Sequence, residues 1–191
     1  MKQFSKKYIV KIPNDISIFY CNKKKIITFK GSRLYKSLKL KTKIYVSTLK
    51  KFIVVTKIPF LDMSNNRKKA LKSIQGTTIA LIKQIILEIS VLLCSKLKFI
   101  GVGYRVFPIE VFNNQLLHLK LGYSHQIYFK VPKNLTISCV RLTNLFIFGN
   151  SYQYVNQIAS TIRSYKLPEP YKGKGILYEN EKITLKEGKK V

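Results

Sequence analysis

The sequence predicts an α+β fold of two tandem, duplicated domains, 1–93 and 94–191, each an antiparallel-rich sheet packed against one main helix. Three observations carry this expectation. A short pattern recurs in both halves, brief runs rich in Ile, Tyr and Phe alternate with polar residues, and one strongly patterned helical segment stands in each half. With 191 residues, 46% of them apolar, the chain can bury a core and is not compositionally disordered.

The recurring pattern is Ile12-Pro13-Asn14-Asp15-Ile16-Ser17-Ile18, then Ile27-Thr28-Phe29-Lys30-Gly31. Its second copy is Val131-Pro132-Lys133-Asn134-Leu135-Thr136-Ile137, then Leu145-Phe146-Ile147-Phe148-Gly149. Both read apolar-Pro-x-x-apolar-hydroxyl-Ile, followed by an alternating strand that ends in Gly. Chance can produce so short a pattern, but order and spacing agree, and the two halves join near 93–101.

Strands are expected at 8–12, 16–21, 25–30, 34–39, 43–47 and 52–56, separated by Pro, Asn and Lys. The second half offers 99–107, 115–121, 126–131, 135–140 and 144–148. A first helix starts at Arg67 or Thr77 and ends at Leu93. Its polar residues Thr77, Gln84, Glu88 and Ser95 fall on one narrow stripe, which reads as the wet edge of a largely buried helix. A transmembrane span is the alternative reading of this helix, against which stand the ~20 apolar residues a span needs and the cost of a central charge; a basic membrane-surface protein with a helix at 77–93 is the alternative function. A second helix covers Ser151 to Tyr165, with Val155, Ile158, Ala159 and Ile162 at helical spacing, Asn150 or Ser151 as cap and Pro168 beyond its end.

Charge narrows the function. Lys and Arg number 36 against 8 Asp and Glu, a formal net charge of +28. Solubility is usually met by a net charge of roughly 2–8 on a small domain, so a polyanion partner, nucleic acid above all, is implied. The bases are 31 Lys and 5 Arg. Lysine is a mobile point charge suited to phosphates, so specificity would rest on the shape of a folded RNA. An AT-rich coding bias produces the same lysine excess, and both causes stay open.

The acids are few and scattered, and His118 and His125 lack an acidic or cysteine partner at catalytic or metal spacing. Both histidines read as structural or surface residues. No enzyme, no cofactor, no metal and no small-molecule substrate are expected. Cys21, Cys94 and Cys139 form no CxxC and read as small buried hydrophobes. Met1 to Lys11 shows neither a signal-peptide pattern nor an Arg- and Ser-rich transit peptide.

The segment Leu167-Pro168-Glu169-Pro170-Tyr171-Lys172-Gly173-Lys174-Gly175-Ile176 is the strongest candidate site. Prolines stiffen it, glycines let the backbone approach closely and present N–H groups, and Lys172 and Lys174 could meet one phosphate. Tyr171 adds a face for a sugar or base. A tight turn between a helix and a strand explains the same residues without any ligand. Gly101-Val102-Gly103-Tyr104-Arg105 is a second candidate, read here as a strand whose glycines leave room for a neighbouring domain. The lysines of the tail, Lys182, Lys186, Lys189 and Lys190, read as an extension that orders on RNA, and Glu179, Glu181 and Glu187 as solvated ion pairs of small value. Lys23-Lys24-Lys25 reads as a solvated turn.

At Pro168-Glu169-Pro170-Tyr171-Lys172-Gly173-Lys174-Gly175-Ile176 the chain resembles the sixth protein of the large ribosomal subunit, the universal L-six family. Glu187-Gly188-Lys189-Lys190, Gly101-Val102-Gly103-Tyr104-Arg105 and Leu121-Gly122-Tyr123-Ser124-His125 resemble further motifs of that family in the same order. The resemblance runs from about Gly76 to the end and is weaker before it. It implies two duplicated α+β domains, a place near the stalk base and the sarcin–ricin region, and neighbouring ribosomal proteins as partners without membrane insertion. It also implies rRNA contacts by Tyr171, Lys172, Gly173, Lys174 and Gly175, with Arg163 and Lys166 from the preceding helix and Lys186, Lys189 and Lys190 from the tail. Ile79 stands where the family usually has an arginine after the Gly76-Thr77 pair. The skewed composition suggests a mitochondrial ribosome, with a plastid or the cytoplasm of an AT-rich bacterium as alternatives.

Overall fold

The computed structural model describes residues 8–47, 51–55, 64–109 and 115–188. The chain divides into two units, Met1–Val91 and Leu92–Val191. In the first, β1 (Ile9–Lys11), β2 (Ser17–Cys21), β3 (Ile26–Lys30), β4 (Tyr35–Lys39), β5 (Ile44–Ser47) and β6 (Phe52–Val55) precede α1 (Asn65–Ser90). The strands form two antiparallel sheets, β1-β6-β5 and β2-β3-β4. Alternation sets which side chains go inward: in β3, Ile27 and Phe29 are fully buried while Lys30 is exposed. Lys23 to Lys25 form the exposed turn between β2 and β3, with Lys25 at φ 53.

The helix α1 lays Thr78, Ile79, Ile82, Ile85, Ile86 and Ile89 into the unit, packing on β1, β3, β4 and β6. Fully burying one such isoleucine stabilises by about 1.5–3 kcal/mol. The expected apolar segment is therefore spent on the unit's own sheets. Two corrections follow. Leu93 opens a strand instead of ending the helix, because β-branched Val91 leaves the helix in an extended conformation. Glu88 is not on a wet edge: it is 4% exposed and paired with Lys36 of β4 and with the Gln84 amide at 2.9 Å.

In the second unit, β7 (Leu93–Ile100), β8 (Arg105–Ile109), β9 (Leu116–Lys120), β10 (Ile127–Lys130), β11 (Leu135–Arg141) and β12 (Asn144–Gly149) precede α2 (Tyr152–Ser164), and β13 (Gly175–Tyr178) follows it. The sheets are β10-β9-β8 and β11-β12-β7-β13, all antiparallel. The strand expected over 99–107 is broken, since Gly101 to Gly103 turn the chain between β7 and β8. The glycine there makes room within its own unit: a Cβ on Gly101 would sit 2.9 Å from the buried Tyr104 ring.

The duplication is visible in detail. Ile16 N–H donates to Pro13 O and Leu135 N–H donates to Pro132 O, so the same turn precedes the β2–β3 and β11–β12 hairpins. The pairing schemes match with a cyclic shift, β8-β9-β10 repeating β5-β6-β1 and β11-β12-β7 repeating β2-β3-β4. Among the described residues, β13 alone has no counterpart. The cysteine expectation fails: Cys21 and Cys94 are exposed and Cys139 is half-buried, because each occupies the outer or marginal face of its strand.

Candidate nucleic-acid interface

The helix α2 carries the site. It buries Val155, Ala159 and Ile162 and packs on β7, β12 and β13; Ala159, fully buried, is small enough for close approach to the sheet. Ser151 stands at the N-cap with extended backbone, but its side chain makes no capping hydrogen bond. The helix ends by tightening, Tyr165 and Lys166 donating to Ile162 O and Arg163 O at 3.3 Å.

The loop from Lys166 to Gly175 then folds on itself. Glu169 N–H donates to Lys174 O, Gly173 N–H to Glu169 O, and Ile176 N–H back to Lys166 O, each at 2.9 Å. Gly173 has φ 67, in the left-handed region. Gly175 admits a close crossing of backbones, since a Cβ there would lie 2.5 Å from Pro168 Cα. The tail is fastened to the loop by Lys186 N–H donating to Pro170 O at 2.9 Å, with Leu185 against Gly173.

The loop offers its cations outward. Tyr171, 54% exposed, and Lys172 stand at the tip. Lys174 and Lys166 line a cleft of about 480 Å³ with Tyr104, Tyr123 and Glu169. Lys166 Nζ lies 4.2 Å from the Tyr123 ring centroid, and Tyr123 is held by its hydroxyl donating to Tyr165 O at 3.1 Å. Lys186 is exposed, while Lys189 and Lys190 lie outside the described residues.

Some of the expected contact residues also hold the site together. Gly173 N–H is spent inside the loop and Gly175 pairs with Ile100, so the lysines, more than these amides, face a ligand. Arg163 is engaged twice, by a two-pronged pair with Glu181 and by the Tyr178 ring at 5.6 Å, which makes it an anchor for the segment after β13. Glu181 is accordingly no loosely solvated acid. Its carboxyl is held below the ordinary carboxylate range by the hydrogen bond from Arg163, and Arg163 is raised by the same bond. Glu179 is also lowered, by Lys96 at 2.6 Å.

His125, read from the sequence as a structural or surface residue, stands beside Tyr123 at this site. Their rings stack at 5.3 Å, and Tyr123 borders the lysine cleft. A signal was present in the Leu121-Gly122-Tyr123-Ser124-His125 motif, but its partner Lys166 is remote in sequence. Among the described residues, no group of three His, Cys, Asp or Glu could hold a metal ion, and no helix is long and apolar enough to cross a membrane.

The family model described as Ribosomal protein L6 matches residues 100–179, which span β8 to β13 and the whole loop. Large ribosomal subunit protein uL6 of Mycoplasma capricolum is 34% identical over 95% of this chain and 94% of its own length. The chain belongs to the ribosomal protein L6 (uL6) family. The uL6 of Buchnera aphidicola is 37% identical over 86% of each chain, and that of Chloroherpeton thalassium 38% identical over 79% of this chain and 78% of its own. The family is structural and non-enzymatic. The membrane-surface reading of 77–93 gives way to this membership.

Proposed function

We propose that the chain is a structural constituent of the large ribosomal subunit that binds large-subunit rRNA near the stalk base and sarcin–ricin region, beside neighbouring ribosomal proteins. The observation that carries this is the closed 166–175 loop, fastened to the tail, with Lys172 at its tip and Lys166 and Lys174 in the adjoining cleft. Tyr171 supplies a stacking face. Gly173 and Gly175 hold the loop's shape, Arg163 fixes the segment after β13 and contributes a contact from the helix end, and Lys186, Lys189 and Lys190 contribute rRNA contacts from the tail. The mechanism is electrostatic docking followed by shape fit, with each phosphate contact contributing about 0.9 to the salt slope on the duplex scale. The ribosome is assigned to a mitochondrion on composition, with a plastid or a bacterial cytoplasm as alternatives; the relatives named above are bacterial.

Sedimentation of the tagged protein from gently lysed cells and isolated organelles, in low and high salt, tests the reading. Co-migration with the large subunit in both salts is the expected result, and the fraction that holds the subunit decides the compartment. A free or membrane-bound protein would overturn it.

A further inference from the structure

A second cleft lies beside the first. It measures about 300 Å³ and is lined in part by His118, Lys120, Tyr123, His125 and Gln126, with Val102 and Gly103 at its rim. Its walls are pre-ordered. On one side Tyr123 and His125 stack at 5.3 Å, with Tyr123 tied to Tyr165 O. On the other stands His118, held from behind in a cross-strand row with Phe107 and Tyr128, which do not line the cleft, at centroid distances of 6.0 and 5.1 Å. Tyr128 donates a hydrogen bond to Gln126 Oε1. The rim is open, Val102 being 90% exposed and nothing lying within 4 Å of a Cβ on Gly103. Both histidines of the chain line this cleft, and among the described residues no acid does.

Such a wall suits a flat, hydrogen-bonding, anionic guest. Aromatic and imidazole rings stack on a base, the histidine and glutamine edges offer donors and acceptors, and Lys120 answers a phosphate. A duplex keeps its bases within its own stack, so an unpaired nucleotide is the guest whose base can reach these rings. We propose that this cleft takes a single unpaired nucleotide of RNA, with its base against the Tyr123–His125 stack and its phosphate at Lys120. The proposal rests on the reading of the chain as an rRNA-binding protein, but not on the 166–175 loop as the contact.

With only two histidines, selective labelling of their rings gives two resolved sets of NMR signals in the full-length protein. Titration with a six-nucleotide single-stranded RNA is expected to shift both sets. An RNA hairpin of equal phosphate number, with its loop closed by a stable tetraloop, and inorganic phosphate are expected to leave them in place. His125→Ala, an exposed position, should weaken single-strand binding about tenfold, and Lys172→Ala with Lys174→Ala should leave the ring shifts intact. Equal shifts with hairpin or phosphate would reduce the cleft to a generic cationic patch and overturn the proposal. Silent histidines while the Gly173 and Gly175 amides respond would overturn it and spare the loop assignment. Silence at all of these positions with every RNA would remove both.

Discussion

Unit 1 stops at its helix, whereas unit 2 continues past α2 into a loop, β13 and a basic tail. Up to that point the two are built alike, with matching strand pairings and the same Pro13 and Pro132 turns. Their helices differ in use. Within its packed face, α1 places a carboxylate, Glu88, against Lys36. The 13-residue α2 keeps an aliphatic buried face and aims its last turn at the loop. The comparison teaches that a duplicated scaffold can hold its core twice while the segment assigned to RNA is the part with no counterpart.

Substitution at the crossing of loop and β13 should break this difference most severely. Gly175→Val places side-chain atoms into the Pro168 backbone and is expected to cost about 3 kcal/mol or more, read as a lower chemical-denaturation midpoint for unit 2. A same-sized loss in the Met1–Val91 unit would contradict it. Next, Glu88→Gln should destabilise unit 1 by about 1–2 kcal/mol; Lys36 is 26% exposed and keeps access to water, which holds the loss below that of a fully buried pair. RNA affinity should not change, and a lower affinity would tie unit 1 to the interface.

Much of this was legible beforehand. The strands of unit 1 follow from period-2 alternation, and the hairpin repeat from its paired prolines. The failures share a cause. Val91-Leu92-Leu93-Cys94 is an apolar run whose local pattern fits a helix end as well as a strand, and pairing with β12 decides it. β13 is four residues long, and its partner β7 lies far back in the chain. Glu88 looked solvated because Lys36 is 52 positions away, and Glu181 looked like a solvated acid because Arg163, 18 positions back, reaches it only after β13 forms. The loop was readable as a site from its Pro, Gly and Lys residues; its internal hydrogen bonds were not.

A smaller effect sharpens the account of the tail. Glu181→Gln should lower unit 2 stability by about 1 kcal/mol at neutral pH. Glu181 titrates below its unfolded value of about 4.3, so its contribution is present above that value and is lost as pH falls through the lower folded one. The gap between wild type and variant should therefore narrow as pH falls below the unfolded carboxylate value and close below the lower folded one, as followed by thermal melts. A gap that persists there would assign the contribution to packing.

The central claim is that the main RNA contact is the segment of unit 2 that follows α2. Ultraviolet crosslinking of the protein within assembled large subunits, followed by mass spectrometry, tests it directly. Crosslinked peptides should concentrate in 166–191, with Tyr171 and Lys172 among them, beside a smaller set at 118–126 from the nucleotide cleft, and Lys172→Ala with Lys174→Ala should lower the salt slope of rRNA binding by about 1.8. Crosslinks confined to 1–91, with an unchanged salt slope, would contradict the account.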